Sequence, residues 1–234
     1  NPEKGHPITD GAFSDATLQW IEKQLDLAKA KNKQVIGFMH HGILEHYKKQ
    51  NKFYGEYIVD DYKKVSKLFA SKGMKLVFTG HYHAQDVVKK DYRKDGEIYD
   101  IETGSLVTYP CPVRFVELSD NQVKINSERI KKIETYPEGF SEYSKDYVWS
   151  GIEGIARRAL ISYKLDEDEA AKLSGQVADA FVAHYSGDEA EKDKPFNLEG
   201  ISLRGRFLIG FKKKLVSSLW EDLKPADNEV VVEY

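Results

Sequence analysis

Val35-Ile36-Gly37-Phe38-Met39-His40-His41 and Leu76-Val77-Phe78-Thr79-Gly80-His81-Tyr82-His83 are two short apolar runs, each followed by a pair of histidines. Continuous apolar runs of this length between polar residues read as strands covered on both faces. A helix precedes each. From Ser14 as N-cap, Leu18, Ile21, Leu25 and Ala28 recur at steps of three and four, and a polar tail rich in lysine and asparagine follows before Gln34. After a polar, lysine-rich loop over residues 42–56, Tyr62, Val65 and Phe69 mark a second helix closed by Gly73. Helix, strand, helix, strand with short connectors predicts an α/β sheet with crossover helices, whose strand C-termini share one ligand-binding edge.

Outward from these runs the pattern changes twice. Pro2, Gly5, Pro7 and Gly11 punctuate an irregular lead-in over residues 1–13. From Asp86 to about Lys132 the apolar period becomes two, with turns at Asp95-Gly96 and Ser119-Asp120-Asn121, which predicts an antiparallel meander. Beyond Tyr136-Pro137-Glu138-Gly139 three helices are expected, over residues 144–163, 166–185 and 203–222, and then a loose acidic tail from Asp227. The division is residues 1–135 for the α/β part and 136–234 for a helical C-terminal unit.

At 234 residues and 41% hydrophobic content, the chain suffices for one large domain or for a core with a smaller appended unit. A formal charge of −3, with 31% charged residues of both signs, gives no field for nucleic acid or an anionic membrane surface. No apolar run reaches the roughly 18 residues of a membrane span. Cys111 is alone, so no intrachain disulfide forms, which suits a cytoplasmic protein and a bacterial exported one equally. The chain opens Asn1-Pro2-Glu3 without an initiator methionine, and we read it as a piece of something longer.

His40, His81 and His83 fall where two parallel strands would end, so their rings are expected to converge. His81 and His83 are separated by one residue, which in extended backbone points both rings to the same side, and Gly80 would let the chain pass close beneath them. Ions in dinuclear hydrolase sites lie about 3.5–4 Å apart, so neighbouring imidazoles can give one nitrogen to each. An isolated glycine–histidine loop also arises by chance. What strengthens the metal reading is His40-His41 closing a matching strand, because buried strands seldom end in clustered ionisable rings. His41 reads as a secondary donor or a cap of the strand end. His46, with Tyr47, Lys48, Lys49 and Lys52, sits on a loop that either meets a substrate phosphate or stays solvated, and Tyr82 would line the mouth. His6 and His184 read as surface or structural residues, and Lys212-Lys213-Lys214 as a helix's wet face.

The two histidine runs, in this order, resemble the last two sequence blocks of calcineurin-like metallophosphoesterases. Leu18-Gln19-Trp20-Ile21-Glu22-Lys23-Gln24-Leu25 resembles the helix before the family's histidine strand, and Glu102-Thr103-Gly104-Ser105 a turn kept near its site. The likeness covers residues 10–120. It implies the second half of an α/β/α sandwich with mixed sheets, in which His40 and His81 bind the second metal and His83 the first. It also implies two divalent ions (Mn, Fe or Zn) in the complete enzyme, and metal-assisted hydrolysis of a phosphate mono- or diester. Gly42 stands where the family has proline. The family's Asp-x-His, Gly-Asp-x-x-Asp and Gly-Asn-His-Asp/Glu blocks have no counterpart; Gly5-His6-Pro7, Asp10, Asp15, Asp60 and Asp61 fit none of them. The family's general acid histidine belongs to that missing part.

Three imidazoles do not neutralise two divalent ions, so oxygen ligands must come from outside this chain, which alone is expected to be inactive with partial or no metal occupancy. A half-sandwich also predicts unpaired edges and apolar surface, met by a homodimer or by the missing N-terminal half. The alternative is a non-enzymatic interaction module with a structural or vestigial metal site.

Overall fold

The computed structural model describes residues 5, 8–187, 189 and 197–234. Helix α1 (Asp15–Ala30) starts as expected, with the Ser14 hydroxyl accepting from the Thr17 amide at 3.1 Å. Strand β1 (Ile36–Phe38) follows, then a short helix α2 (Gln50–Phe53), helix α3 (Tyr62–Ser71) and strand β2 (Leu76–Thr79). Gly73 ends α3 at φ +89°. β1 and β2 are parallel, with Ile36 opposite Leu76 and Phe38 opposite Phe78. Both therefore deliver their C-terminal histidines to one edge.

β3 (Asp86–Asp91) and β4 (Glu97–Glu102) form the hairpin expected around Gly96, and β4 then lies parallel to β2. The first sheet has the order β1-β2-β4-β3. β5 (Pro112–Leu118), β6 (Gln122–Arg129) and β7 (Glu229–Glu233) make a second, antiparallel sheet. The expected single meander is thus divided between two sheets, because β4 takes β2 rather than β5 as its second neighbour. The acidic tail is not loose: Val230 and Val232 are buried, Val231 is not, and Asp227 accepts from the Val87 amide at 2.7 Å. Its signal, a β-branched run between glutamates, was present in the sequence but outweighed by the acidic composition.

Alternation along β2 and β4 sorts the core. Leu76, Phe78, Tyr99 and Ile101 pack against Val123, Ile125, Val230 and Val232 of the second sheet. Val77, Val88 and Ile98, on the opposite face, pack against Leu25, Val65 and Phe69 of α1 and α3. Arg114 stitches the sheets by donating to the carbonyls of Glu102 at 2.7 Å and Asp227 at 2.6 Å.

Helices α4 (Phe140–Ser162), α5 (Glu167–Ser186) and α6 (Leu203–Ser218) follow the three expected segments, with α4 beginning earlier, just after Gly139. The Asp166 carboxylate caps α5, accepting from the Glu169 amide at 2.8 Å. These helices do not stand apart. Ala180, Phe181, Leu215 and Leu219 share a core with Tyr47, Tyr82 and Ala84. Residues 42–56 are thus not a wholly solvated loop: Tyr47 is buried by that contact, Ile43 and Leu44 by the α1 and α3 core, and His46 is buried as well, while Lys48, Lys49 and Lys52 after them face water. β1 departs from expectation in the other direction. It is an edge strand with Phe38 78% exposed, because only β2 pairs with it.

Truncating Val232 to alanine should cost about 1–3 kcal/mol in urea unfolding, and Val231→Ala no more than about 0.5 kcal/mol. Equal, small effects at both positions would contradict the strand.

Candidate metal centre

β1 ends at Phe38 and β2 at Thr79, and backbone pairing continues beyond both: Met39 N donates to Phe78 O and Gly80 N to His40 O, each at 3.0 Å. His40 and His81 are thereby brought side by side, with ring centroids 4.4 Å apart. His41 stacks on His81 at 4.4 Å and 24°. A carbonyl can only accept, so the 2.7 Å contact from His41 Nε2 to Thr9 O places that ring's proton on Nε2 and leaves Nδ1 as its lone pair when neutral. Thr108 Oγ1 lies 3.3 Å from His83 Nδ1.

The segment is not extended, as the spacing suggested. His81 has φ +76° and His83 φ +67°, two left-handed non-glycine residues with only Tyr82 between them. Such backbone is costly for histidine and persists where surroundings hold it. Between them Tyr82 turns inward and is buried against Tyr47, Tyr54 and Tyr57, so it does not line a mouth. Nor does Gly80 serve a close approach, since a Cβ there would meet nothing nearer than 3.9 Å. The glycine that matters sterically is Gly11, where a Cβ would sit 2.7 Å from His41 Nδ1.

Burial, then the neighbouring His41, His40 and His83, hold His81 down at about 4, so its ring is neutral at pH 7. Burial and His40 also lower His83. Neutral rings offer lone pairs, which is the state a metal ion requires. His81 Nδ1 is buried without a hydrogen-bond partner, a polar atom suited to a cation. These residues fit the nitrogen half of a metal centre. They are not drawn into a tight knot: among the described residues, the three-residue group whose ligand atoms all lie within 4.8 Å is another one, Asp86, His184 and Glu189.

That group belongs to a buried polar layer beneath the histidines. Thr79, Asp86, Asp100 and Glu102 share the helix-facing side of the first sheet by alternation. His46, expected on a solvated or substrate-facing loop, is fully buried among them. Its Nδ1 lies 2.7 Å from Asp86 Oδ1, and its Nε2 lies 3.3 Å from Asp100 Oδ2, a charge contact rather than an aligned hydrogen bond. Burial opposes the imidazolium, but Asp100 and Asp86 together outweigh it and hold His46 well above its ordinary value. Glu102 is pushed up to about 8 by burial, with Asp100 and Asp86 adding to it against the pull of His46. His184, read from sequence as surface or structural, is fully buried, with Nδ1 2.8 Å from Glu189 Oε1. His6 lies outside the described residues. The sequence did carry a signal for this layer: Asp100 and Glu102 interrupt an apolar strand on one face, and His184 interrupts Ala180-Phe181-Val182-Ala183. No described helix is long and apolar enough to cross a membrane.

Two outcomes follow. His83→Gly should relieve the left-handed strain and raise stability by about 0.5–1 kcal/mol in urea unfolding while weakening metal binding; a loss of stability would refute the strain. Glu102 holds its proton in the folded chain up to about 8 but releases it near 4.5 when unfolded, so stability falls as pH rises between those values. The imidazolium of His46 contributes most below 6.5, and that contribution is lost as pH rises through its elevated folded value, which is the same direction. With a chelator present, the melting temperature should therefore be lower at pH 9 than at pH 6, and Glu102→Gln should narrow the gap. No protein-family model and no curated protein matches this chain, so the functional reading rests on its own geometry.

Proposed function

We propose that this chain provides the histidine ligands of a dinuclear, metal-dependent phosphoesterase that hydrolyses a phosphate mono- or diester, the carboxylate ligands coming from outside the chain. The observation that carries this reading is the approach of His40 to within 4.4 Å of His81 at the C-terminal edge of two parallel strands, with His83 two residues on. His40 and His81 would serve one ion and His83 the other. Bound ions would supply Lewis-acid polarisation of the phosphoryl group and acidify water. The chain's own part is positioning: Thr9 fixes His41, the stacked His41 ring backs His81, and Thr108 steadies His83.

An external source of oxygen ligands agrees with the open side of the sandwich. Val116 and Leu118 lie opposite Ile125 and Val123, on the face that packs inward elsewhere, yet are 39% and 64% exposed. Phe38, stacked on Phe78 at 5.2 Å, is bare at the corresponding edge of the first sheet. A missing half of the domain would cover this strip, and a second copy of the chain is the other occupant to consider. Among the described residues the charges acting on His81 and His83 come from other histidines and not from carboxylates, which favours the second reading, an interaction module with a vestigial or structural metal site.

Assay of a polypeptide extended upstream of Asn1, with manganese or ferrous ion and bis-p-nitrophenyl phosphate, separates the two. Turnover is expected, reduced by roughly a hundredfold or more in His40→Ala and in His81→Gly. No turnover with either ion would reject the phosphoesterase, and turnover by the present chain alone would reject the external carboxylates.

A further inference from the structure

Asp86 opens β3, His184 lies in the last turn of α5, and Glu189 follows just beyond it; their ligand atoms all fall within 4.8 Å of one another. All three side chains are buried. His184 Nδ1 is 3.6 Å from Asp86 Oδ2 and 2.8 Å from Glu189 Oε1. Ligands around a tetrahedral ion with bonds of about 2.0–2.2 Å stand roughly 3.4 Å apart, so the first distance already suits a shared ion and the second would open by about half an ångström.

A second observation falls on one of the ligands itself: Glu189 Oε2 is buried with no hydrogen-bond partner, as is Glu102 Oε1 on the neighbouring strand. Glu102 and His184 are fully buried, and Asp86 and Glu102 are paired across the β3–β4 ladder. The layer sets four carboxyl groups, Asp86, Asp100, Glu102 and Glu189, against two imidazoles, His46 and His184. Acidic groups outnumber basic ones where water is scarce, a setting that accommodates a cation.

The backbone is locked around the trio. Gly187, between two of the ligands, has φ +72°, and a Cβ there would lie 2.3 Å from the Gln85 carbonyl. Gln85 N donates to Tyr185 O at 3.3 Å, and Asn228 and Arg129 both donate to Ser186 O. The end of α5 is thus pressed onto the residue preceding Asp86.

We propose that Asp86, His184 and Glu189 bind a divalent first-row transition ion, such as zinc or manganese, in a buried structural site separate from the exposed histidines. One imidazole and two carboxylates form a mixed nitrogen and oxygen set suited to such ions. The ion would fasten the helical C-terminal segment to the first sheet beneath the histidine edge. With all three ligand side chains buried, its role would be stability.

The test uses the full 234-residue chain carrying His40→Ala, His81→Gly and His83→Gly, which removes the exposed centre and makes the result independent of the phosphoesterase reading. After incubation with zinc or manganese chloride and desalting, metal is counted by mass spectrometry and the melting temperature is compared with a chelated sample. About one ion per chain should remain and raise the melting temperature. Adding Glu189→Gln should cut retention tenfold or more. Absence of retained zinc and manganese in the triple variant overturns the site, as does undiminished retention with Glu189→Gln. Should Glu189→Gln fail to fold by circular dichroism, His184→Gln replaces it, and the presence or absence of the metal-dependent melting rise in the triple variant still decides.

Discussion

The Asp100 carboxylate ties together the two loops that carry the exposed histidines. One oxygen accepts from Thr79 Oγ1 at 2.5 Å, the residue before Gly80-His81. The other accepts from the amides of Ile43 at 2.5 Å and Leu44 at 3.0 Å, just after His40-His41-Gly42. A single buried acid in the middle of β4 therefore fixes both exits from the parallel pair. Charged acceptors bind amides more strongly than neutral ones, and inside the protein that difference grows. Gly42 belongs to this arrangement, since a Cβ there would stand 3.3 Å from the same carboxylate.

Holding an acid in the core requires compensation, and the layer around Asp100 supplies it in stages. His46 brings a positive ring between Asp100 and Asp86, while burial shifts Glu102 towards its neutral form. Removing one member would strand the others, so the layer stands or falls as a unit. Tyr47 and Tyr82 separate it from the helical core, and both pack on His184. The exposed histidines therefore follow loops tied down by buried polar contacts, Thr79 to Asp100 and Ile43 and Leu44 to the same carboxylate, which is how left-handed strain at His81 and His83 is sustained.

Legibility in the sequence followed the size of the local signal. The α1 cap at Ser14, the parallel strands, the β3–β4 hairpin and three C-terminal helices could be read because period, caps and turn residues act over a few neighbours. The partition into two sheets could not, because whether β4 pairs with β2 or with β5 is settled by burial of Tyr99 and Ile101 against a strand more than a hundred residues away. The same holds for the loop after His41. Its lysines suggest solvent, but the residues before them are claimed by three distant partners: Ile43 by the α1 and α3 core, His46 by Asp86 and Asp100, and Tyr47 by α5 and α6. Clustered histidines at strand ends were visible as a pattern. The layer below them left only isolated marks, Asp100 and Glu102 on one face of β4 and His184 after an apolar run, because its members come from separate segments and only folding brings them together.

If the proposed metal centre is right, two unmet needs lie next to each other: Phe38 is bare on a strand that pairs only with β2 among the described residues, and two residues later His40 opens the histidine cluster whose oxygen ligands would come from outside the chain. On the proposed reading, one added strand beside β1 would cover Phe38, occupy the free ladder positions of Ile36–Phe38, and end at the histidine edge, where a carboxylate at its terminus could reach the same ions. Apolar cover and metal ligation would then be contributed by a single element, because a strand laid along β1 cannot do the first without arriving at the second.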